Sequence, residues 1–174
     1  MSALFIGRFQ PFHLGHLNVI KKAIKKEKYL IIGIGSALEN FLPENPFTAR
    51  ERFQMIKNTL DTEKIPANKY CIIPIPNINQ FALWVNHVEQ LTPPFEKVYT
   101  GSELVKCLFQ KSNNNYKIIN IKKELKISAT QVRESLLKNT DFWTKNLHPQ
   151  VKTFLKKIDA QNRLKDINAV IPFV

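Results

Sequence analysis

The sequence predicts an α/β fold, in which a mostly parallel sheet carries helices on both faces. Short apolar runs alternate with amphipathic segments along the chain, which is the pattern of βαβ units. Right-handed crossovers between parallel strands place helices on both faces. Polar clusters follow the apolar runs, and ligands of parallel sheets bind at the carboxyl ends of the strands. One shared site is therefore expected, built from residues 7–16, 35–48, 76–84, 100–103 and 127–133.

The apolar runs predict five strands, and segments with helical spacing predict the helices between them. Leu17, Ile20 and Ile24 recur at helical spacing, so a helix is expected to begin near Leu14. Thr48 opens the sequence TARE, a capping box that predicts a helix start. The predicted strands cover residues 3–6, 29–34, 70–75, 97–99 and 116–119, and further helices cover 81–91, 103–109, 128–138 and 149–164.

Composition limits the class of protein. The chain has 174 residues, 44% of them apolar, which suits one domain over 1–174 with a helical C-terminal part over about 128–165. No apolar run approaches the ~20 residues of a membrane span, and the N-terminus lacks a signal-peptide pattern. Cys71 and Cys107 are far apart, which argues against a zinc site or a disulfide framework and predicts a reducing cytoplasm. The net charge of +12 favours an anionic partner, and charge alone leaves nucleic acid and nucleotides open.

The stretch GRFQPFHLGH joins the first predicted strand to the first predicted helix. Unpaired N–H groups and the positive end of the helix dipole make such a turn an anion site. Gly7 lets the backbone come close to a ligand, and Gly15 leaves room for a bulky phosphate or base. His13 and His16 can both reach the same anion from the first turn. The alternative is that His13 only caps the helix while His16 lies on the surface.

A second helix start of this kind occurs in KISATQVRESL, residues 126–136. Ser128 is placed to cap the helix, Thr130 lies in its first turn, and Arg133 follows one turn later. A helix N-terminus with a guanidinium suits the β- and γ-phosphates of a nucleotide. Taken alone, the segment is also compatible with a plain capped surface helix.

HxGH followed by a segment similar to ISxTxxR is typical of a nucleotidyltransferase superfamily with a Rossmann-like fold, which the chain resembles. Over nearly its whole length, to about residue 160, it resembles the archaeal-type nicotinamide-nucleotide adenylyltransferases. The resemblance implies that NMN and ATP react to give NAD and pyrophosphate, as a step of NAD biosynthesis. The NMN phosphate would attack the α-phosphate in line, without a general base or covalent intermediate. The motifs that carry it are GRFQPFHLGHLNVIKKA, GIGSA, ENPFTARER, LWVNHVEQLTPPFEKVYTG and SATQVR.

The resemblance assigns the phosphate chemistry to these two helix starts. It implies that His16 contacts the α-phosphate and His13 the other ATP phosphates. Arg8 and Arg133 would hold the triphosphate, which makes these four the expected catalytic residues. Mg²⁺ is expected on the ATP phosphates, with no metal ligand from the protein. The expected ATP-binding residues are Gly7, Arg8, Phe9, His13, His16, Gly101, Ser128, Thr130 and Arg133.

The same resemblance implies an NMN pocket and a homo-oligomer. Trp84 would stack on the cationic pyridinium, whereas the residues alone also allow a core aromatic. Arg52 belongs to the ENPFTARER motif, and a structural ion pair involving Glu51 is the alternative there. Related sequences carry aspartate at the position of Asn77 and asparagine at that of Phe81, which leaves open the preference between NMN and nicotinate mononucleotide. The expected NMN-binding residues are Gly35, Ser36, Phe47, Arg52, Asn77, Ile78, Phe81 and Trp84.

Three other functions remain open on the sequence. Nucleotidyltransferases that act on phosphopantetheine, FMN or glycerol phosphate share HxGH, but the motifs NPFTARER and LTPPFEKVYTG argue against them. A basic protein that binds nucleic acid without catalysis has only the charge in its favour, since no helix-turn-helix, RNP or zinc-finger pattern appears. The third is a regulatory module that binds NAD or NMN. We expect no nucleic-acid or membrane partner.

Overall fold

The computed structural model describes residues 1–78, 80–112, 114–121 and 125–170. Within these ranges, five strands form one parallel sheet with helices on both faces, so the predicted fold class is confirmed. Each predicted strand is present, with its ends within about one residue of those expected. The strands are β1 (Ser2–Gly7), β2 (Tyr29–Ile34), β3 (Tyr70–Pro74), β4 (Lys97–Thr100) and β5 (Lys117–Asn120).

Helices follow each of the first four strands, and the described residues after β5 form four more. Of the helices described, none has the length and apolar character needed to cross a membrane. A short 3₁₀ helix precedes β3. The helices are α1 (Leu14–Lys26), α2 (Ala49–Thr62), α3 (Phe81–Leu91), α4 (Glu103–Lys111), α5 (Ala129–Leu137), α6 (Phe142–Asn146), α7 (Pro149–Lys157) and α8 (Ala160–Val170), and the 3₁₀ helix covers Ala67–Lys69.

The strand order β3-β2-β1-β4-β5 places β1 at the centre of the sheet. Phe5 of β1 lies opposite Ile32 of β2 and Tyr99 of β4, all in parallel register. The chain builds outward from β1 to β3 on one side and then crosses to the other side for β4 and β5. Connections therefore leave β1 and β4 in opposite directions, which opens a crevice at their carboxyl ends.

The central strand is buried on both faces, because helices cover the sheet from both sides. Leu4 of β1 belongs to a cluster that contains Trp84 of α3 and Phe109 of α4. Ala3 and Phe5 belong to a larger cluster formed with α1, α2 and the C-terminal helices. Burying one large apolar side chain of this kind contributes about 1.5–3 kcal/mol. The two clusters hold β1 rigidly, so the backbone that follows it is fixed in place.

Reciprocal capping fixes where the helices near this crevice begin. At the start of α2, Thr48 Oγ1 accepts from Glu51 N–H at 3.2 Å, and the Glu51 carboxylate accepts from Thr48 N–H at 2.9 Å. The capping box predicted from TARE is confirmed. Ser128 and Gln131 form the same arrangement at the start of α5. Each box satisfies two helix N–H groups that would otherwise lack partners.

The C-terminal part differs from the prediction in two respects. The helix expected over 149–164 is two helices, because Asp159 adopts a left-handed backbone with φ of 48° and turns the chain between α7 and α8. Aspartate tolerates this conformation better than most residues, and apolar spacing alone does not reveal it. The five-residue helix α6 was not predicted, since so short a segment shows no helical periodicity.

Candidate functional site

A cavity of about 390 Å³ lies at the carboxyl ends of β1 and β4. The first turns of α1 and α5 close it from two sides, and Gly101 lines it after β4. Three of the five polar clusters expected at this edge therefore meet in one cavity. The cavity wall contains all nine residues expected around ATP, namely Gly7, Arg8, Phe9, His13, His16, Gly101, Ser128, Thr130 and Arg133.

His13 and His16 cap the start of α1 for each other. The His16 backbone N–H donates to His13 Nδ1 at 3.4 Å, and the His13 N–H donates to His16 Nδ1 at 3.2 Å. The two rings stack with centroids 3.5 Å apart. This is a capping box made of two histidines, so the geometry of the HxGH motif is built into the helix start.

The capping contacts also define the tautomer of both rings. A ring nitrogen that accepts from a backbone N–H carries no proton, so a neutral imidazole here holds its proton on Nε2. Burial lowers the pKa of His13 to about 4. Burial, with the neighbouring His13 as a second cause, lowers the pKa of His16 well below its usual value. Both rings are therefore neutral at pH 7 and each offers one Nε2–H donor.

The burial of His13 makes the folded protein sensitive to acid. Its pKa is about 4 when folded and 6.5 in an unfolded chain, so below pH 6.5 the unfolded chain binds more protons. The contribution of neutral His13 to the free energy of unfolding is complete above pH 6.5 and is lost as the pH falls toward 4. We expect His13 to lower the free energy of unfolding of the wild type by about 2–3 kcal/mol between pH 7 and 4.5.

Urea unfolding of the wild type and of His13→Asn at these two pH values measures this loss. Asparagine is a good helix cap without a titrating group, so the variant should lose about 2 kcal/mol less than the wild type. Parallel losses in the two proteins would contradict the prediction.

The histidine pair is held in place by Gly15, Phe9 and Phe12. A Cβ on Gly15 would lie 3.0 Å from the His13 ring, so the helix start has no room for a larger residue there. Gly15 also lines the cavity, and the room it leaves for a phosphate or base stays a prediction. The Phe9 ring, on a backbone with φ of 52°, meets His16 edge-on at 4.8 Å, and the Phe12 ring stacks on His16 at 5.6 Å. These contacts fix the direction in which the histidine donors point.

Two arginines supply positive charge to the cavity. Arg133 is only 8% exposed, and its guanidinium donates to the Gln10 carbonyl at 2.9 Å and to Thr130 Oγ1 at 3.5 Å. Burial, together with the nearby charge of Arg8, lowers the pKa of Arg133. Arg8 is half-exposed and pairs with Glu44 at 3.0 Å. The cavity therefore holds one fixed and one movable guanidinium, a pair suited to a polyanion.

Arg52 differs from the two arginines of the cavity in that its side chain is fully buried. It donates to the carbonyl oxygens of Arg8, Gly35, Ser36 and Thr48, at 2.9, 2.7, 2.9 and 3.2 Å. Burial lowers its pKa to about 10, so it stays charged at pH 7. Arg52 thus ties the segments after β1 and β2 to the start of α2.

The remaining residues expected around NMN are spread over several environments. Ser36 and Asn77 meet beside the ends of β2 and β3, where Asn77 Nδ2 donates to Ser36 Oγ at 2.9 Å. Trp84 is 8% exposed and packs edge-on against Phe109 in the core, whereas Phe81 is 62% exposed. Phe47 is buried in the larger core cluster, Gly35 donates to the Gly7 carbonyl at 2.9 Å, and Ile78 packs at the edge of the smaller cluster.

Several residues that organise this region were not found from the sequence. Gln10 holds the backbone of Phe47 through two hydrogen bonds of 2.8 and 2.9 Å. Arg163 of α8 pairs with Glu51 at 2.8 Å, so the structural ion pair of Glu51 that the sequence left open is present. Glu39 accepts from two asparagine side chains. Gln10 at least lies within the stretch GRFQPFHLGH, whereas Glu39 and Arg163 belong to no motif.

The described residues contain no group of three or more histidine, cysteine, aspartate or glutamate side chains that is placed to hold a metal ion. The donors around the cavity are N–H groups and guanidinium groups, which bind anions. A divalent ion at this site would therefore depend on oxygen ligands from a bound phosphate.

Comparison with known sequences shows the family of this chain. A family model described as cytidylyltransferase-like matches residues 4–135. The chain is 42% identical over 173 residues to a nicotinamide-nucleotide adenylyltransferase of Archaeoglobus fulgidus, covering 97% of this chain and 98% of that protein. It is 38% identical over 166 residues to the one of Thermoplasma volcanium, covering 95% and 92%.

Solved structures share the fold at low sequence identity. A bifunctional NMN adenylyltransferase/ADP ribose pyrophosphatase from Francisella tularensis superposes with a TM-score of 0.79 at 24% identity, over 97% of this chain. The chain spans 52% of that protein. A nicotinic acid mononucleotide adenylyltransferase from Plasmodium falciparum gives 0.67 at 17% identity, over 92% of this chain and 97% of that one. Amide and acid enzymes thus share this fold, which leaves the acceptor to be argued from the residues.

Proposed function

This chain belongs to the nicotinamide-nucleotide adenylyltransferases of the cytidylyltransferase-like family, and we propose that it joins NMN to the adenylyl group of ATP, releasing NAD and pyrophosphate. The observation that carries the proposal is the histidine pair. Two neutral rings, locked by their own capping contacts, offer two Nε2–H donors at a helix N-terminus. Fixed donors of this kind stabilise charge that develops on phosphate oxygens.

The reaction needs positioning and charge neutralisation more than proton transfer. An oxygen of the NMN phosphate bonds to the α-phosphorus of ATP, and the bond from that phosphorus to the β-phosphate oxygen breaks. A phosphate monoester is already largely ionised at pH 7, since its second pKa is about 6. No base is needed, which agrees with two neutral histidines that act as donors. The gain comes from holding the reacting atoms in line.

Four residues of the cavity are proposed to bind the ATP phosphates. His16 contacts the rings of Phe9, Phe12 and His13 and is proposed to donate to the α-phosphate, with His13 donating beside it. Arg133 already donates to the Gln10 carbonyl and keeps further N–H groups for the β- and γ-phosphates. Arg8 would exchange Glu44 for the triphosphate. Ser128 and Thr130 begin α5, whose N-terminal dipole also favours anions.

Magnesium is proposed to arrive bound to ATP as part of the nucleotide substrate. The described side chains offer no three-ligand group, so phosphate oxygens and water would form its ligand shell. The ion would neutralise charge on the leaving pyrophosphate. The protein's own part is the pair of guanidinium groups and the two helix N-termini.

The acceptor is proposed to lie beside the ends of β2 and β3. Gly35, Ser36 and Asn77 would face it, with the buried Arg52 holding the backbone of Gly35 and Ser36. Stacking of the pyridine ring on Trp84 remains a prediction, since only 8% of that residue is exposed. The remaining proposed contacts are Phe47, Ile78 and Phe81. Cytoplasmic location and self-association also remain predictions.

The proposal is tested by supplying ATP, Mg²⁺ and either NMN or nicotinate mononucleotide to the purified protein. We expect pyrophosphate and the dinucleotide to appear in equal amounts with NMN, and neither to appear when CTP replaces ATP. Chromatography of the dinucleotide and an enzymatic assay of pyrophosphate measure the two products. Pyrophosphate release that does not depend on either mononucleotide would overturn the assignment and would indicate another acceptor.

A further inference from the structure

One carboxylate, that of Glu39, joins the segments that follow β2 and β3. Its Oε1 accepts from Asn77 Nδ2 at 2.6 Å, and its Oε2 accepts from Asn45 Nδ2 at 3.1 Å. Asn77 Nδ2 also donates to Ser36 Oγ at 2.9 Å. Each oxygen of Glu39 thus holds one asparagine amide. The nearby charge of Glu39 also acts on the buried Arg52, raising its pKa against the effect of burial.

The chemistry of Glu39 decides which way the Asn77 amide points. An ionised carboxylate only accepts hydrogen bonds, so the amide must turn its N–H groups toward Glu39. The Ser36 hydroxyl can donate or accept and by itself would permit either orientation. With Glu39 present, Oδ1 of Asn77 faces away from the pair. No described residue donates to that oxygen.

Glu39 also fixes the side-chain amide of Asn45, although this orientation leaves the Asn45 oxygen without a hydrogen bond. The same carboxylate holds its Nδ2, and its Oδ1 is buried with no hydrogen-bond partner among the described residues. A buried acceptor without a partner costs about 1–3 kcal/mol. The amide keeps this orientation because turning it over would place its oxygen against the carboxylate.

We propose that Glu39 is a positioning residue that makes the enzyme choose the amide acceptor, NMN, over nicotinate mononucleotide. The inference rests on the proposed function, in which Asn77 faces the acceptor, and it places the pyridine substituent beside the Asn77 amide. A carboxamide can donate an N–H to the outward Oδ1 of Asn77. A carboxylate has no proton to donate, and it would meet both that oxygen and the negative charge of Glu39. A site built to accept from an N–H discriminates strongly against a ligand that lacks it.

The test compares kcat/KM for NMN and for nicotinate mononucleotide in the wild type and four variants. In Glu39→Gln the new amide accepts or donates, so Asn77 can turn over, and the selectivity ratio should fall roughly tenfold. The lower selectivity should result mainly from a higher KM for NMN. Asn77→Asp sets two carboxylates against each other, so the new side chain should turn away from Glu39 and kcat/KM for NMN should fall.

The double variant Glu39→Gln with Asn77→Asp restores the pair with donor and acceptor exchanged. The glutamine amide donates to one oxygen of the new aspartate, and the other oxygen still accepts outward. Its ratio should return to within about threefold of the wild type, which a merely structural role for Glu39 would not produce. Glu96→Gln, a surface change before β4, is the matched control and should leave the ratio unchanged. Thermal unfolding of each variant verifies that it is folded.

The outcomes distinguish the role of Glu39 from the proposed function itself. A wild type that forms dinucleotide from NMN, together with an unchanged ratio in Glu39→Gln, overturns the role of Glu39 alone. A double variant that stays unselective while folded has the same consequence, as does a wild type that uses both acceptors equally. A wild type that forms no dinucleotide from either acceptor overturns the proposed function, and this inference with it.

Discussion

Replacing His16 with alanine is expected to lower kcat by about 10²–10³, because the variant loses an oriented donor to the reacting phosphate. His16 lies in a closed setting, stacked on His13 at 3.5 Å and bordered by Phe9 and Phe12. Water that fills the space left by the ring cannot be held in one direction as firmly. Single-turnover measurement of dinucleotide formation at saturating ATP and NMN tests the expected loss.

The same substitution also removes part of the helix cap, so a second variant is needed to separate the two effects. In His16→Ala the His13 N–H loses its acceptor, which costs about 1 kcal/mol of stability. In His16→Gln the side chain can accept from that N–H, as glutamine does in ordinary capping boxes. Stability should return while activity stays low. If His16→Gln recovered both, or if His16→Ala kept activity within tenfold, the donor role of His16 would be wrong.

Replacing Arg52 with methionine is expected to lower the free energy of unfolding by about 3–5 kcal/mol. The substitution leaves the carbonyl oxygens that Arg52 binds without their charged donor, in a fully buried place. Since three of these carbonyls belong to segments beside the site, the affinity for the acceptor should fall too. Urea unfolding followed by circular dichroism gives the stability, and initial rates give KM.

Arg50→Met is the matched control for this experiment. Arg50 lies two residues earlier in α2 and is exposed, so its loss should change stability by less than about 0.5 kcal/mol. Arg52→Lys keeps the charge but cannot spread its donors over four carbonyls, and it should fall between the wild type and methionine. Equal stability of Arg50→Met and Arg52→Met would show that the buried network contributes little.

The features of this fold that the sequence predicts correctly are those that depend on residues close together in the chain. The helix over Phe81–Leu91 and the strand over Tyr29–Ile34 have the predicted ends, because apolar spacing specifies them. The capping box at Thr48 is likewise local. The turn at Asp159 is also local, but it depends on a backbone conformation that the apolar pattern does not encode.

Contacts between distant segments decide the rest. Glu39 meets Asn77 across 38 residues, and Arg163 meets Glu51 across 112, so neither pairing has a signal in the nearby sequence. The histidine motif shows another limit. Helix capping and phosphate binding looked like alternatives on the sequence, whereas the two nitrogens of each ring allow both. Nδ1 takes part in the cap, and Nε2 remains for a ligand.

Gln10 has a consequence for the order in which the protein acquires its structure. Its side chain holds Phe47, 37 residues away, and its carbonyl accepts from Arg133, 123 residues away. Each contact of such long range requires a long loop to close, and folding slows as the share of such contacts rises. During synthesis the histidine turn also emerges long before the guanidinium of Arg133. A nascent chain that stops short of α5 would hold the histidine pair without the Arg133 guanidinium that lines the same cavity.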